Sequence, residues 1–483
     1  MAFISIFNDV LGPVMRGPSS SHTAGAYRIG LVIRDLLGGA PQRAGVVFDP
    51  AGSMAPTYKP LGVDLAFTAG LMGWSMLDEN YFEACDRARA EGVPVDFELS
   101  PLEHTDHPNG MLIEAASREG RRLSVVAEAV GGGGIRIVRF EGHPVDLDGK
   151  THITIVEEPD ATLRITHGAE AAEKGPSGAK TIWMAAPVFF VQEGEALFEN
   201  AEEMVAFAEN HDHSLGETAL VYESELLGKS VADVMNEMMG RYEVMERSIA
   251  AGLDDSQSDM LLLQPTSSKV FAAESRGAVA IGGIHTRAAA RALAVMHHCN
   301  SRGVICAAPT GGSAGTLPGV VMSLVEELNL SRQQTALALF AASAVGLIVA
   351  RRATFAAEIA GCQVEIGVSG AMAAAAVVEA AGGSAHQAAD AAAISLQNTM
   401  GSPCDPVAGA CEVPCHTRNA VAASSAFTCA DLILGGYTNP IPLDETIDAS
   451  YEVGKALPSE LRCTARGGCA VTPSALSLPR LRK

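Results

Sequence analysis

Residues 404–415 read CDPVAGACEVPC, and they interrupt a long alanine-rich helical pattern. Proline lacks a backbone N–H donor and glycine permits a tight bend, so we expect an ordered loop inside a helical domain. The loop carries Cys404, Cys411 and Cys415, and Cys362 lies upstream at the end of an apolar helix. Thiolates bind zinc, copper(I) or iron–sulfur clusters, so a metal site is one interpretation. The other is that these cysteines only fill the core, as free cysteine often does, and no C-x-x-C pair is present.

The composition indicates a cytoplasmic enzyme with more than one domain. The chain has 483 residues, of which 48% are hydrophobic and 5% aromatic, so a large core must be built from small aliphatic side chains. Its net charge of −22 argues against nucleic acid and anionic membranes as partners. The first twelve residues lack the features of a signal peptide, and ten cysteines in such a chain indicate reduced thiols.

The patterning predicts an α+β fold with three regions. Residues 1–150 mix short strands, glycines and helices, and we expect a mixed α/β domain there. Residues 151–195 contain two more strand patterns and a polar linker over Glu173–Lys180. Residues 196–483 are predicted to form a largely helical domain that carries the cysteine loop. Its predicted helices are Glu199–Glu209, Val231–Ala251, Thr286–Cys299, Val320–Leu328, Thr335–Ala350, Gly370–Ala381, Ala385–Gln397 and Arg418–Leu434.

A run of hydroxyl residues and one histidine, SSSHT at positions 19–23, precedes a predicted helix over Gly25–Leu37. Serine and threonine at a helix start are expected to cap its first turn, and free N–H groups there favour an anion. His22 is then either incidental to a cap or a group for proton transfer near neutral pH. His107 allows the same two interpretations, a turn residue or an acid/base group.

Motifs spread over most of the chain resemble those of the iron–sulfur L-serine dehydratases. The N-terminal motifs of that family are similar to GPSSSHTAG at 17–25, HPNGM at 107–111 and the four-glycine run at 131–134. The helical-domain motifs of the family are similar to APT at 308–310, GCQ at 361–363, CDPVAG at 404–409, VPC at 413–415 and the tripeptide Arg418-Asn419-Ala420. The C-terminal segment of the family is similar to RGG at 466–468. The motifs occur in the family's order. The chain looks like the family's beta chain, over residues 1–150, fused to its alpha chain, over residues 196–483.

The resemblance implies a [4Fe-4S] cluster held by Cys362, Cys404 and Cys415, with Cys411 left out. Three thiolates would leave one iron open to act as a Lewis acid toward the substrate. The side chains implied to orient the cluster are Gln363, Asp405, Arg418 and Asn419. The catalytic residues that the resemblance implies are His22, His107 and Asn109. The substrate-binding residues that it implies are Ser19, Ser20, Ser21, Thr23, Asp64 and Thr310.

We therefore expect L-serine ammonia-lyase activity, which converts L-serine to pyruvate and ammonia. Where the family has Gly-His-x-Thr-Asp, this chain has PLGVD at 60–64, so Leu61 and Val63 replace a histidine and a threonine. This change favours two alternatives. One is a dehydratase of another 2-(hydroxymethyl) carboxylic acid, such as 2-hydroxymethylglutarate, and the other is a non-catalytic cluster-binding sensor. We expect a homodimer that acts on a small β-hydroxy (amino) acid and has no nucleic-acid or membrane partner.

Overall fold

The computed structural model describes residues 3–170 and 181–481, and its α+β architecture confirms the predicted fold class. The predicted linker over Glu173–Lys180 lies outside the described residues. The strands are β1 (Val14–Arg16), β2 (Pro41–Phe48), β3 (Val95–Leu99), β4 (Gly110–Ser117), β5 (Arg122–Gly131), β6 (Gly134–Phe140), β7 (His143–Leu147), β8 (His152–Glu157), β9 (Leu163–Gly168), β10 (Thr181–Ala185) and β11 (Val304–Cys306). The helices are α1 (Gly25–Leu37), α2 (Met54–Thr57), α3 (Val63–Met72), α4 (Ala84–Ala90), α5 (Ala201–His211), α6 (Leu215–Leu227), α7 (Val231–Gly252), α8 (Ser267–Ser275), α9 (Ile284–Asn300), α10 (Thr316–Leu328), α11 (Arg332–Arg352), α12 (Ala357–Ala360), α13 (Ile366–Ala380), α14 (Ala385–Gln397), α15 (Cys415–Leu434), α16 (Leu443–Lys455) and α17 (Pro473–Leu476).

The chain divides into two compact units. The mixed unit is Ser20–Glu193, and the helical unit combines Gly194 onward with the residues up to Ser19. Residues 3–19, which we call the N-terminal arm, therefore pack with the helices that follow much later in the sequence. The domain boundaries expected at residues 150 and 195 stay predictions.

The mixed unit is built on a six-stranded sheet in the order β3-β2-β4-β5-β6-β7. β2 pairs with β3 in parallel, and the other neighbours are antiparallel. β8 pairs with β9 and β10 in a separate antiparallel sheet. The four-glycine run forms the turn between β5 and β6, where Gly131 pairs with Gly134 and the three residues from Gly131 to Gly133 have positive φ. Such φ values are easiest for glycine, so the run is explained by the turn.

Two helices of the mixed unit, α1 and α3, pack closely because each presents a glycine to the other. A Cβ atom on Gly30 would lie 2.5 Å from the Phe67 carbonyl oxygen, and one on Gly70 would lie 2.1 Å from the Tyr27 carbonyl oxygen. Any side chain at either position would push the helix backbones apart. This packing fixes α1, which begins directly after the serine–histidine segment.

The helical unit surrounds α13, whose residues from Ile366 to Val378 are buried without a break. α13 packs against α10, α11, α14 and α15. Its side chains are mostly alanine, valine and glycine, which allow close approach of neighbouring helices. The expected core of small aliphatic residues is thus concentrated around one central helix.

The N-terminal arm completes the helical unit. β1 pairs with β11 in an antiparallel ladder that joins Val14 to Cys306 and Arg16 to Val304. Nearer the start, the buried carboxylate of Glu223 on α6 accepts hydrogen bonds from the backbone N–H groups of Ile6 and Phe7, at 2.8 and 3.1 Å. The arm therefore supplies both a strand and donors for a buried charge.

Within the described residues, two helical segments are long and apolar enough to cross a bilayer, namely Arg332–Arg352 and Cys362–Ala380. Of their apolar windows, 78% and 89% are buried inside the structure. Burial of this extent is typical of core helices in a globular protein, because a membrane span would present much of its surface to lipid.

Candidate functional site

Two helix starts meet the cysteine loop in the helical unit. A short turn over Cys362–Val364 leads into α13, and Cys415 is the first residue of α15. The first N–H groups of a helix lack partners within the helix, and that end carries a partial positive charge. Cys362 and Cys415 both lie at such helix starts.

The three predicted ligands share one buried cluster. Cys362, Cys404 and Cys415 are 1%, 4% and 4% exposed and pack together with Ala357, Ile366 and Ala422. Cys411 and Cys463 pack against the same cluster and are partly exposed. The sequence-predicted cysteines are thus brought together, although their role as ligands stays a prediction.

The sulfur atoms form two contacting groups. Hydrogen bonding with the thiols of Cys362 and Cys463 raises the pKa of the Cys404 thiol well above its usual range, and burial adds to this effect. Hydrogen bonding with the Cys415 thiol likewise raises the pKa of the Cys411 thiol well above its usual range. Cys463 reaches Cys404 because the backbone N–H of Cys463 donates to the Cys404 carbonyl oxygen at 2.8 Å. Nothing in the motif spacing indicated this contact, since it is made by chain segments far apart in sequence.

A carboxylate that sequence analysis missed completes this pocket. The side-chain oxygen of Glu365 lies within 4.8 Å of the sulfur atoms of Cys362 and Cys404. Its Oε1 accepts a hydrogen bond of 2.5 Å from Thr310, one of the predicted substrate-binding residues. Burial raises the pKa of Glu365, while the Thr310 hydrogen bond and the charge of Arg418 oppose that rise. The available signal was an acidic residue three positions after Cys362, at the start of α13.

Arg418 contacts both the predicted ligand Cys362 and the predicted supporting residue Asp405. Its Nη1 donates to the Cys362 sulfur at 3.6 Å and to the Pro403 carbonyl oxygen at 2.7 Å, and it forms an ion pair of 2.9 Å with Asp405. The other oxygen of Asp405 accepts from the backbone N–H of Cys469 at 2.7 Å. The predicted supporting residues Asp405 and Arg418 therefore contact the sulfur pocket.

Buried amide and carboxylate groups hold the loops in place. Asn419 accepts from the N–H groups of Gly315 and Thr316, both at 3.2 Å, and donates to the carbonyl oxygens of Gly312 and Cys415, both at 2.9 Å. Glu412 lies inside the cysteine loop and accepts from three consecutive backbone N–H groups of residues 261–263, at 2.6, 2.8 and 2.8 Å. These bonds tie the cysteine loop to α10 and to the segment before α8.

The donor set fits an iron–sulfur cluster. Several buried thiols converge, two of them at helix starts, and an arginine N–H group points at one sulfur. Soft thiolate donors suit iron–sulfur clusters, zinc and copper(I), and N–H donation to sulfur is one means by which proteins tune such clusters. The residues present therefore accommodate the cofactor that the sequence predicted.

The mixed unit contains the predicted histidine segment from Ser20 onward, as part of a continuous helical run. Residues 20–24 form a π-helical turn that runs directly into α1, and the residue before α1, Ala24, is helical and makes no side-chain capping bond. No side-chain capping bond is therefore made at Ala24, and the capping role expected of the serine hydroxyl groups stays a prediction. The Thr23 hydroxyl donates instead to the Leu61 carbonyl oxygen at 2.8 Å, and Ser21 Oγ lies 3.0 Å from His22 Nδ1. The local hydroxyl groups thus hold His22 and the altered 60–64 segment.

His22 and His107 lie close enough to interact electrostatically. Burial, and then the charge of His107, lower the pKa of His22 from 6.5 to about 4, so its imidazole is neutral at neutral pH. Its Nε2 lies 3.2 Å from the Ser53 hydroxyl. Burial also lowers the pKa of His107, whose Nδ1 accepts from the Asn109 N–H at 3.1 Å.

The other predicted substrate-binding residues are placed as follows. Ser20 and Thr23 are buried beside His22, and Ser19 is the last residue of the N-terminal arm. Asp64 lies in the first turn of α3 and forms an ion pair of 2.6 Å with Lys59. The roles proposed for these residues stay predictions.

Known serine dehydratase chains are similar to this protein over most of its length. Residues 194–470 match the family model described as serine dehydratase alpha chain. A probable L-serine dehydratase alpha chain of Bacillus subtilis (strain 168) is 39% identical over 284 residues, covering 59% of this chain and 95% of the relative. The probable beta chain of the same organism is 39% identical over 160 residues, covering 33% of this chain and 70% of the relative. The L-serine dehydratase TdcG of Escherichia coli (strain K12) is 28% identical over 489 residues, covering 94% of this chain and 96% of the relative.

Proposed function

This chain belongs to the L-serine dehydratase family and joins counterparts of its alpha and beta chains in one polypeptide, and we propose that it is an L-serine ammonia-lyase. The reaction removes the α-proton and the β-hydroxyl group of L-serine as water. The enamine that forms then reacts with water and gives pyruvate and ammonia. The observation that carries the proposal is the convergence of Cys362, Cys404 and Cys415 in one buried pocket at two helix starts.

We assign a [4Fe-4S] cluster to these three thiols. When bound, it would supply a Lewis-acidic iron for the oxygen atoms of the substrate. The chain's own contribution is to present Cys362 and Cys415 at helix starts and to hold Arg418 against the Cys362 sulfur.

We assign proton transfer to His22. Its imidazole is neutral at neutral pH because burial lowers its pKa to about 4, so it can accept a proton. Ser21 and Ser53 orient the two ring nitrogens at 3.0 and 3.2 Å. His107 and Asn109 would support this group, and the hydroxyl groups of Ser19, Ser20 and Ser21 would bind the substrate carboxylate.

The ligand assignment is tested by serine substitutions in protein purified without oxygen. Cys362→Ser, Cys404→Ser and Cys415→Ser should each lose most bound iron, whereas Cys411→Ser should keep it. Cys306→Ser serves as the control, because Cys306 is buried in β11 outside the cysteine pocket. Iron analysis and the broad visible absorption of the cluster give the result. Loss of iron in Cys411→Ser with retention in Cys415→Ser would contradict the assignment.

Product analysis tests the reaction itself. Anaerobic, iron-loaded protein should release ammonia and pyruvate from L-serine in equal amounts. A dehydratase of a 2-(hydroxymethyl) carboxylic acid would release no ammonia from its own substrate. Iron-loaded protein that turns over neither class of compound would indicate the sensor alternative.

A further inference from the structure

Glu365 is a charged group in the cysteine pocket that neither the family motifs nor the proposed reaction uses. Its carboxylate lies within 4.8 Å of the Cys362 and Cys404 sulfur atoms, and its side chain is partly exposed. Across residues 3–170 and 181–481, no lysine or arginine lies within ion-pair distance of it. Arg418, the nearby cation, is instead paired with Asp405 at 2.9 Å. The Glu365 carboxyl group therefore has no salt-bridge partner among the described residues.

The two oxygen atoms of Glu365 differ in their partners. Oε1 accepts the Thr310 hydroxyl at 2.5 Å, and Thr310 Oγ1 is itself 3.0 Å from Ser313 Oγ. No hydrogen bond to Oε2 is made by the part of the chain that the structure describes. An ionised carboxylate can only accept hydrogen bonds, so Oε2 is open to an N–H or O–H donor from a bound molecule.

Thr310 holds the carboxylate in this position, and a glycine leaves the space that it occupies. A Cβ atom on Gly312 would lie 2.6 Å from Glu365 Oε1 and 3.2 Å from the Cys411 sulfur, so a side chain there would displace the carboxylate. Thr310, Gly312 and Ser313 belong to the loop before α10, which Asn419 fixes through the Gly312 carbonyl oxygen. A group fixed in this way loses little conformational freedom when a ligand binds.

We propose that Glu365 binds the ammonium group of the substrate and so restricts the site to β-hydroxy α-amino acids. The inference rests on the proposed function, because the substrate must bind beside the cysteine pocket. An α-ammonium group offers three N–H donors to the accepting oxygen. A hydroxy acid without an amino group would leave a desolvated carboxylate unpaired, and a site built to bond one substrate group discriminates strongly against analogues that lack it.

The test measures binding of two compounds that cannot lose water, L-alanine and L-lactate, to iron-loaded protein without oxygen. Both lack a β-hydroxyl group, and they differ in carrying an ammonium or a hydroxyl group at the α-carbon. Wild-type protein should bind L-alanine at least about tenfold more tightly than L-lactate. Glu365→Gln should remove this preference mainly by weakening L-alanine, and it should keep its iron. Gly312→Ala keeps the Glu365 carboxylate but displaces it, so this variant should also have a smaller preference for L-alanine over L-lactate.

Glu379→Gln is the matched control, because Glu379 is also a partly exposed carboxylate, lies near the far end of α13 and accepts from the Gly216 N–H at 3.0 Å, away from the cysteines. It should keep the preference for L-alanine. An unchanged preference in Glu365→Gln would overturn the proposal, as would loss of iron in that variant, which would indicate a metal ligand. A wild-type protein that binds the two compounds equally, or binds neither, would overturn it as well. Binding selectivity without release of ammonia from L-serine would instead refute the proposed reaction and leave the role of Glu365 intact.

Discussion

His22 links burial to the expected pH dependence of activity. Its pKa in the folded protein is about 4, below the ordinary value of 6.5, because of burial and the neighbouring charge of His107. A lowered pKa means that the neutral imidazole stabilises the fold, and this contribution is lost as the pH falls from 6.5 toward 4. The same neutral form is the one able to accept a proton.

We therefore expect kcat/KM to fall on the acid side near pH 4 rather than near 6.5, if His22 is the base. His107→Gln removes a neighbouring positive charge and should move this limb to higher pH, whereas His104→Gln, which changes an exposed histidine, should not. The measurement is kcat/KM against pH for the three proteins. An acid limb of the wild-type profile near pH 6.5 would assign the titration to another group.

His22→Asn should lower kcat by about a hundredfold and leave iron content unchanged.

Asn419 is expected to be a stability determinant of the cysteine loop. Asn419→Leu would leave two backbone N–H groups and two carbonyl oxygens without their present partner. Each buried group left unpaired costs roughly 1–3 kcal/mol. Urea denaturation should show a large loss, while Asn236→Leu, at an exposed position on α7, should change stability by less than about 0.5 kcal/mol. Similar small effects in both variants would show that the loop does not depend on this amide.

Part of the site was accessible from sequence because its residues lie in dense local motifs. Cys404 and Cys415 share one Pro- and Gly-punctuated loop, and Cys362 lies in a similar break, so their proximity could be predicted. Cys463 and Glu365 could not be assigned in this way. Cys463 reaches the pocket because its segment pairs with the distant segment of Cys404. Glu365 is held by Thr310, which lies on a different loop.

At the level of elements, two glycines on α7 should respond in opposite ways to the same substitution. A Cβ atom on Gly252 would lie 1.7 Å from the Ala294 carbonyl oxygen of α9, so Gly252→Ala must separate the helices at a cost of about 1–3 kcal/mol or more. Gly240 is exposed, and a Cβ atom added there would have open space within 4 Å, so Gly240→Ala should stabilise α7 by about 0.5–1 kcal/mol. Chemical denaturation of the two variants checks the signs. Equal effects would mean that α7 and α9 are not in this close contact.

The predicted elements were most accurate where one periodicity continued over many residues. The helix predicted over Gly25–Leu37 has the observed bounds, and Val231–Ala251 and Arg418–Leu434 lie within α7 and α15. α3 was missed because its residues are apolar on nearly every side, so no amphipathic pattern marks it. The sheet order could not be predicted, since the pairing of β2 with both β3 and β4 joins segments separated by helices and loops.

At the scale of the whole molecule, the short N-terminal arm contributes core residues and a strand to the helical unit. Ile6, Val10, Leu11 and Met15 are 0% exposed, so the arm contributes to the core of the helical unit. Gly12 donates to the Ala307 carbonyl oxygen at 2.9 Å, which extends the connection beyond β1. The helical unit is thus assembled from both sides of the mixed unit in sequence, a feature that local patterns cannot reveal.

A fragment that begins at residue 194, where the family match begins, should therefore be unstable by itself. The fragment would lack the partner strand of β11. It would also leave the buried Glu223 carboxylate without hydrogen-bond donors from the arm, which lowers the free energy of unfolding. A peptide of residues 3–19 should bind the fragment and raise its Tm as its concentration rises, because a ligand that binds only the folded state stabilises it by mass action. A scrambled peptide should have no effect, and the fragment variant Glu223→Ala should respond less to the native peptide. If the fragment unfolds at the same temperature with and without the peptide, the arm is dispensable, and the stability of the helical unit comes from the packing around α13 alone.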